Sequence, residues 1–165
     1  MTLSSLFAAL LAICAWICIP VGDIGITLQT FGVALALLLL GGRWGTVSIG
    51  IYLLLGAVGL PVFSGFRGGI GMLLGATGGF LWGFLLSGPV FRLLERFSKP
   101  LALIAALLAC YLCGCMWFLY WSGGGFGFVV LRCVVPFLIP DVVKLWLAWI
   151  LARRLQKVIL LPSRA

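Results

Sequence analysis

Histidine is absent from this chain, and carboxylates are nearly so: Asp23, Glu95 and Asp141 are the only three. Histidine trades protons near neutrality and is a leading metal ligand. Without it, and with the carboxylates scattered, no acid–base pair is available, so neither an enzyme nor a resident cofactor or metal is expected. A GxxxxGK[ST] stretch is also missing, since the lysines follow Ser98, Val143 and Gln156. That excludes an ATP site of the P-loop type. Charge as a whole is scarce. Charged residues make up 8% of the chain, against about 25% in an ordinary soluble domain. Hydrophobic residues make up 64% and the mean hydropathy is +1.32. Nearly the whole chain is therefore lipid-facing or buried.

A spanning helix needs about 20 mostly apolar residues, so the 165 residues allow roughly six spans and no separate soluble domain. Apolar runs place them near Leu3–Pro20, Thr27–Leu40, Trp44–Leu60, Gly71–Phe91, Leu101–Trp121 and Phe137–Leu155. The second and third are short. Glycine, proline or charge marks each break, at 20–23, 41–43, 60–69, 92–100 and 122–136. The expected fold is an all-α polytopic membrane protein, one transmembrane domain over 1–165 with a short basic tail at 156–165.

The cations orient it. Arg43, Arg92, Arg96 and Lys99 fall in the second and fourth connections, and Arg153, Arg154, Lys157 and Arg164 near the C-terminus. An even number of spans puts all of these on the side of the N-terminus and leaves Arg67 and Arg132 opposite. The positive-inside rule then makes both termini cytoplasmic. The net charge of +8 is thereby explained as topology, not as a nucleic-acid surface. Glu95, among Arg92, Arg96 and Lys99, reads as a surface ion-pair partner. The apolar N-terminus has no basic leader, and Ile13 is too bulky for a lipoprotein cleavage box before Cys14, so no cleavage is expected.

Glycine is plentiful where a soluble helix would avoid it. Gly71, Gly75, Gly79 and Gly83 recur at every fourth position, which on one helix is a single face open to close backbone approach. Just before them, Gly65-Phe66-Arg67-Gly68-Gly69 holds one cation and reads as a lid-like loop. Ser4, Ala8 and Ala12 form a second small-residue row, continued by Trp16, suited to a helix of this chain or of a partner. Cys110-x-x-Cys113-x-Cys115 lies mid-span, as do most of the six cysteines, and reads as packing rather than metal binding.

The last span carries a charged pair. Asp141 and Lys144 share a helix face that Ala148 and Ala152 continue, so it points at protein. A charge near the bilayer centre costs about 2.5–3.5 kcal/mol or more, and something must offset it. One account is a structural ion pair and nothing else. The other is a polar pocket near the outer surface, to which Arg67, Gln29, Tyr52, Ser64 and Thr77 add donors, acceptors and walls.

Four stretches then resemble a known family: 26–31 (ITLQTF), 52–63 (YLLLGAVGLPVF), 75–80 (GATGGF) and 140–144 (PDVVK). They look like the BioY family, the biotin-specific substrate-binding (S) component of energy-coupling-factor transporters, over about residues 26–154. The resemblance implies six helices in a bacterial plasma membrane and biotin captured at the outer face. It also implies delivery with a transmembrane coupling subunit and an ATPase pair, with transport by the chain alone as the alternative. Asp141 and Lys144 match the family's polar pair, and Arg67 its ligand-contacting arginine. The row Ser4, Ala8 and Ala12 resembles the surface that S components offer to the coupling subunit. One departure is Ala76, where the family pattern has proline. Capture of another small vitamin, or a non-transport membrane protein with a scaffold ion pair, are the alternatives.

Overall fold

Apolar runs of this length satisfy their backbone hydrogen bonds within each segment by coiling into helices, and the described residues are mostly helical. The computed structural model describes residues 2–19 and 25–160. In order these form α1 (Thr2–Trp16), β1 (Cys18–Ile19), β2 (Ile26–Thr27), α2 (Gln29–Ala57), α3 (Ile70–Leu74), α4 (Gly78–Leu94), α5 (Lys99–Ser122), α6 (Phe126–Cys133) and α7 (Val135–Leu160). The two short strands pair antiparallel, Cys18 with Thr27 and Ile19 with Ile26. Asp23 and Arg164 lie outside the described residues.

The 29-residue α2 is a hairpin rather than a rod. Gly41 has φ 76° and ψ 170°, a left-handed conformation in which a Cβ would be strained. Across this turn Gly45 lies so close to its partner that a Cβ on it would sit 3.2 Å from the Cα of Leu37. Along a straight helix those positions would be about 12 Å apart. Residues 29–40 and 42–57 thus run antiparallel as two short helices, which matches the second and third expected spans. The turn is closed from another helix: Glu95 Oε2 accepts the Gly42 N–H at 3.1 Å. A carboxylate at a helix N-terminus satisfies an orphan donor and opposes the dipole. This corrects the reading of Glu95 as an ion-pair partner. Its bond goes to backbone, and among the described residues it forms no salt bridge.

α1 packs on α2, α4 on α5, and α2 also on α4 and α7. One main core runs through these contacts, from Ala8 and Leu11 through Leu37, Ile49 and Phe91 to Ala148 and Ala152. Ser4, Ala8 and Ala12 are buried inside this chain. The row is therefore consumed by packing of α1 within the bundle, and the partner-helix interface expected there is corrected. A residue already covered has no area left to offer.

The glycine stripe is also divided. The expected span from Gly71 breaks after α3, with Gly75 extended at its end, and α4 restarts at Gly78. Gly71 faces open space. Only Gly79 and Gly83 serve the close approach: a Cβ on Gly79 would meet Trp117, and one on Gly83 would lie 2.8 Å from the Cys110 carbonyl oxygen. Similarly, the stretch expected as a loop at 122–136 contains α6, and α7 begins before Phe137. Pro136 sits in the first turn of α7, but Pro140 lies inside the helix, where it deprives the Pro136 carbonyl of its donor.

The cations sort by end. Gly42 abuts Arg92 and Gln156 Nε2 donates to the Leu38 carbonyl at 3.0 Å. The Gly41 turn and the ends of α4 and α7 therefore converge, bringing Arg43, Arg92, Arg96, Lys99, Arg153, Arg154 and Lys157 to one end of the bundle. The opposite end holds Arg67, the tip of α1, the start of α2 and the start of α7.

Candidate ligand-binding site

At that opposite end a cavity of about 490 Å³ opens between α1, α2, α4, α5, α7 and the loop 58–69. That lies in the range of small-molecule sites, roughly 300–1,000 Å³. Aromatic rings form much of its wall: Phe80 and Phe84 from α4, Phe137 from α7, and Phe63 and Phe66 from the loop. Phe63 fits because Gly56, on the facing helix, has no Cβ to obstruct its ring.

The polar groups are few and placed. Asp141 and Lys144 line the cavity and are both buried. Their separation by one helical turn lets Lys144 Nζ donate to Asp141 Oδ1 at 2.7 Å. The other oxygen, Oδ2, accepts the hydroxyl of Tyr111 in α5, also at 2.7 Å. Burial of a pair costs each ion several kcal/mol of solvation, offset here by direct contact and by the second hydrogen bond, from Tyr111. One donor–acceptor couple, Lys144 beside Asp141, is thus presented to the cavity.

Gln29 forms a second polar point. Its Oε1 accepts from the Thr27 hydroxyl at 3.0 Å, and its Nε2 donates to the Tyr52 hydroxyl at 2.6 Å. Tyr52 is buried behind Gln29 and outside the cavity lining, with its ring edge-on to Phe63 at 5.5 Å. Thr77, at the start of α4, Ser64 and Arg67 line the cavity too. Arg67 is exposed on the loop, and its guanidinium has no hydrogen-bond or salt-bridge partner among the described residues.

The loop is held down. Trp16, at the end of α1, donates its indole N–H to the Pro61 carbonyl at 2.8 Å and stacks on Phe66 at 4.9 Å. Phe66 itself has φ 56°, uncommon for a non-glycine residue. Phe63 and Arg67 pair across the loop, the Phe63 N–H bonding the Arg67 carbonyl at 2.9 Å.

Of the expected site residues, Asp141, Lys144, Arg67, Gln29 and Thr77 all line this cavity, while Tyr52 stands one bond behind it. Two residues escaped sequence reading. Tyr111 sits mid-span among cysteines that invited a packing account, and Trp16 looked like the end of a small-residue row. Cys110 also lines the cavity, its thiol 3.7 Å from the Phe80 carbonyl. The cysteine cluster otherwise packs, with Cys110 and Cys133 buried.

Comparison with known proteins agrees with this architecture. Residues 1–160 match the BioY family. A probable biotin transporter of Pyrococcus horikoshii is 42% identical over 155 residues, covering 94% of each chain. A biotin transporter of Thermotoga maritima is 40% identical over 159 residues, covering 93% of this chain and 94% of its own. The crystal structure of the S-component for biotin from an ECF-type ABC transporter superposes with a TM-score of 0.86 at 28% identity, over 94% of this chain and 89% of that one. With the match running over almost the whole length, the chain belongs to the BioY family.

Proposed function

We propose that this chain is a membrane-embedded substrate-binding component that captures biotin in the cavity and delivers it inward. The observation that carries this reading is the Asp141–Lys144 couple, a buried acceptor and donor side by side in a cavity walled largely by aromatic rings. Biotin presents the complement. In its ureido ring an N–H and a C=O lie next to each other, so one edge can donate to Asp141 while accepting from Lys144. The second ureido N–H or the ring sulfur then meets Gln29 or the hydroxyl of Thr77, and the bicycle packs on the Phe rings. The carboxylate at the end of the side chain suits Arg67, an exposed cation whose guanidinium has no partner among the described residues. The burial of the couple and the exposure of Arg67 favour the ureido ring at the first and the carboxylate at the second.

The seven basic residues gathered at the other end favour a cytoplasmic placement of that end and an outward-facing cavity. The chain carries no P-loop signature, which is consistent with energy supplied from outside it, through a coupling subunit and an ATPase pair of the energy-coupling-factor kind. With Ser4, Ala8 and Ala12 already buried, that subunit meets another face of the bundle.

Equilibrium binding of labelled biotin to the purified protein in nanodiscs, with unlabelled thiamine, riboflavin and biotin as competitors, tests the reading. Saturable binding displaced by biotin alone supports it. Displacement by another vitamin at lower concentration than biotin would replace it with that ligand.

A further inference from the structure

Asp141 does not stand free in the cavity: each of its oxygens is already bonded once, Oδ1 by Lys144 and Oδ2 by Tyr111, both at 2.7 Å. Lys144 comes from the same turn of α7, but Tyr111 comes from the middle of α5. Those two helices have other packing partners. α5 lies chiefly on α4 and α6, and α7 on α2 and α6. The Tyr111–Asp141 bond therefore bridges the cavity, rather than belonging to a helix–helix interface that would form anyway.

A carboxylate has about four lone-pair directions. A bond to each oxygen stops rotation of the group and leaves one direction free on each, at a fixed angle to the Lys144 ammonium. A carboxylate held only by Lys144 can turn, and it then offers its acceptor to any donor over a wide arc. We infer that Tyr111 is a positioning residue: its hydroxyl fixes the Asp141 carboxylate so that the cavity accepts a ligand N–H at one orientation, and so sets selectivity at the ureido end of the ligand. The inference rests on the biotin reading above, and deepens it.

Tyr111→Phe removes one oxygen and keeps the ring, so the wall of the cavity stays in place. Three ligands are titrated against parent and variant: biotin, biotin methylated on a ureido nitrogen, and biotinamide, whose carboxylate is neutralised. The expected result is about ten-fold weaker biotin binding and a several-fold smaller preference for biotin over the N-methyl compound. The preference over biotinamide stays within about two-fold. In an Asp141→Asn background, Tyr111→Phe adds less than its own single effect, because both changes act on one group. A merely structural tyrosine would weaken all three ligands together. Equal loss of both preferences, biotin affinity unchanged within about two-fold, or effects that multiply in the double variant would each overturn the positioning role. A folded parent that binds no biotin overturns the functional reading itself, and this role with it.

Discussion

Gln29 and Tyr52 are 23 residues apart in sequence, yet their side chains meet at 2.6 Å. The contact exists because the chain reverses at Gly41, laying the start of one short helix beside the end of the next. The same reversal places the Gln29 amide at the cavity, with its oxygen held by Thr27 and one N–H held by Tyr52. One amide proton and one lone pair of the amide oxygen are left for a ligand.

Removing the Tyr52 hydroxyl tests that arrangement. Tyr52→Phe frees the amide to turn, and biotin affinity is expected to fall about three- to ten-fold, within the range of one hydrogen bond. Gln29→Ala should cost at least as much. Isothermal titration of both variants reads the effect. A Tyr52→Phe protein that binds as tightly as the parent would show that the amide needs no support.

The loop over the cavity should respond to Trp16. Trp16→Phe loses the indole bond to the Pro61 carbonyl but retains an aromatic ring against Phe66, whereas Trp16→Ala loses both. Each contact is worth about 1 kcal/mol, so biotin should leave several-fold faster from Trp16→Phe and faster still from Trp16→Ala. Chasing bound labelled biotin with an excess of unlabelled ligand gives these rates. Release at the parent rate in both variants would mean that the loop does not limit escape.

Packing of the glycine stripe makes a prediction within one motif. A methyl on Gly83 must push against the Cys110 backbone, while one on Gly71 enters open space. Gly83→Ala should destabilise by about 1–3 kcal/mol, the usual cost of overpacking, and lower the midpoint of thermal denaturation in detergent. Gly71→Ala should leave that midpoint nearly unchanged. Similar shifts for both would contradict the broken-helix geometry.

How much of this was legible in the chain differs by kind of feature. Apolar runs and the placement of Arg43, Arg92 and Arg153 reveal the helical membrane fold and its two unlike ends, since both depend on composition alone. Asp141 and Lys144 are visible because charge inside an apolar helix is costly, and a spacing of three puts them together. The four-residue period of glycine was misleading before Gly79, because a regular spacing cannot show that the helix breaks at Gly75. Glu95 was misread for a related reason. Its sequence neighbours are cations, but its bonding partner is the backbone of Gly42, reached only once α2 folds back. Tyr111 lay hidden because a tyrosine mid-span has no periodic or charge signal, and its meaning comes from Asp141 across the cavity.

The central claim is that the buried Asp141–Lys144 couple holds biotin, and equilibrium binding to parent, Asp141→Asn, Lys144→Met and the double variant in nanodiscs tests it most directly. Each single change leaves a charge without its partner, and is expected to destabilise the protein, by up to about 3–5 kcal/mol for a fully buried pair. The double change removes both charges and should recover much of that stability. Biotin binding, in contrast, should be lost by at least about a hundred-fold in the double variant as well, since both the acceptor and the donor for the ureido edge are gone. A stable double variant that still binds biotin at near-parent affinity would contradict the account and reduce the pair to a structural bridge.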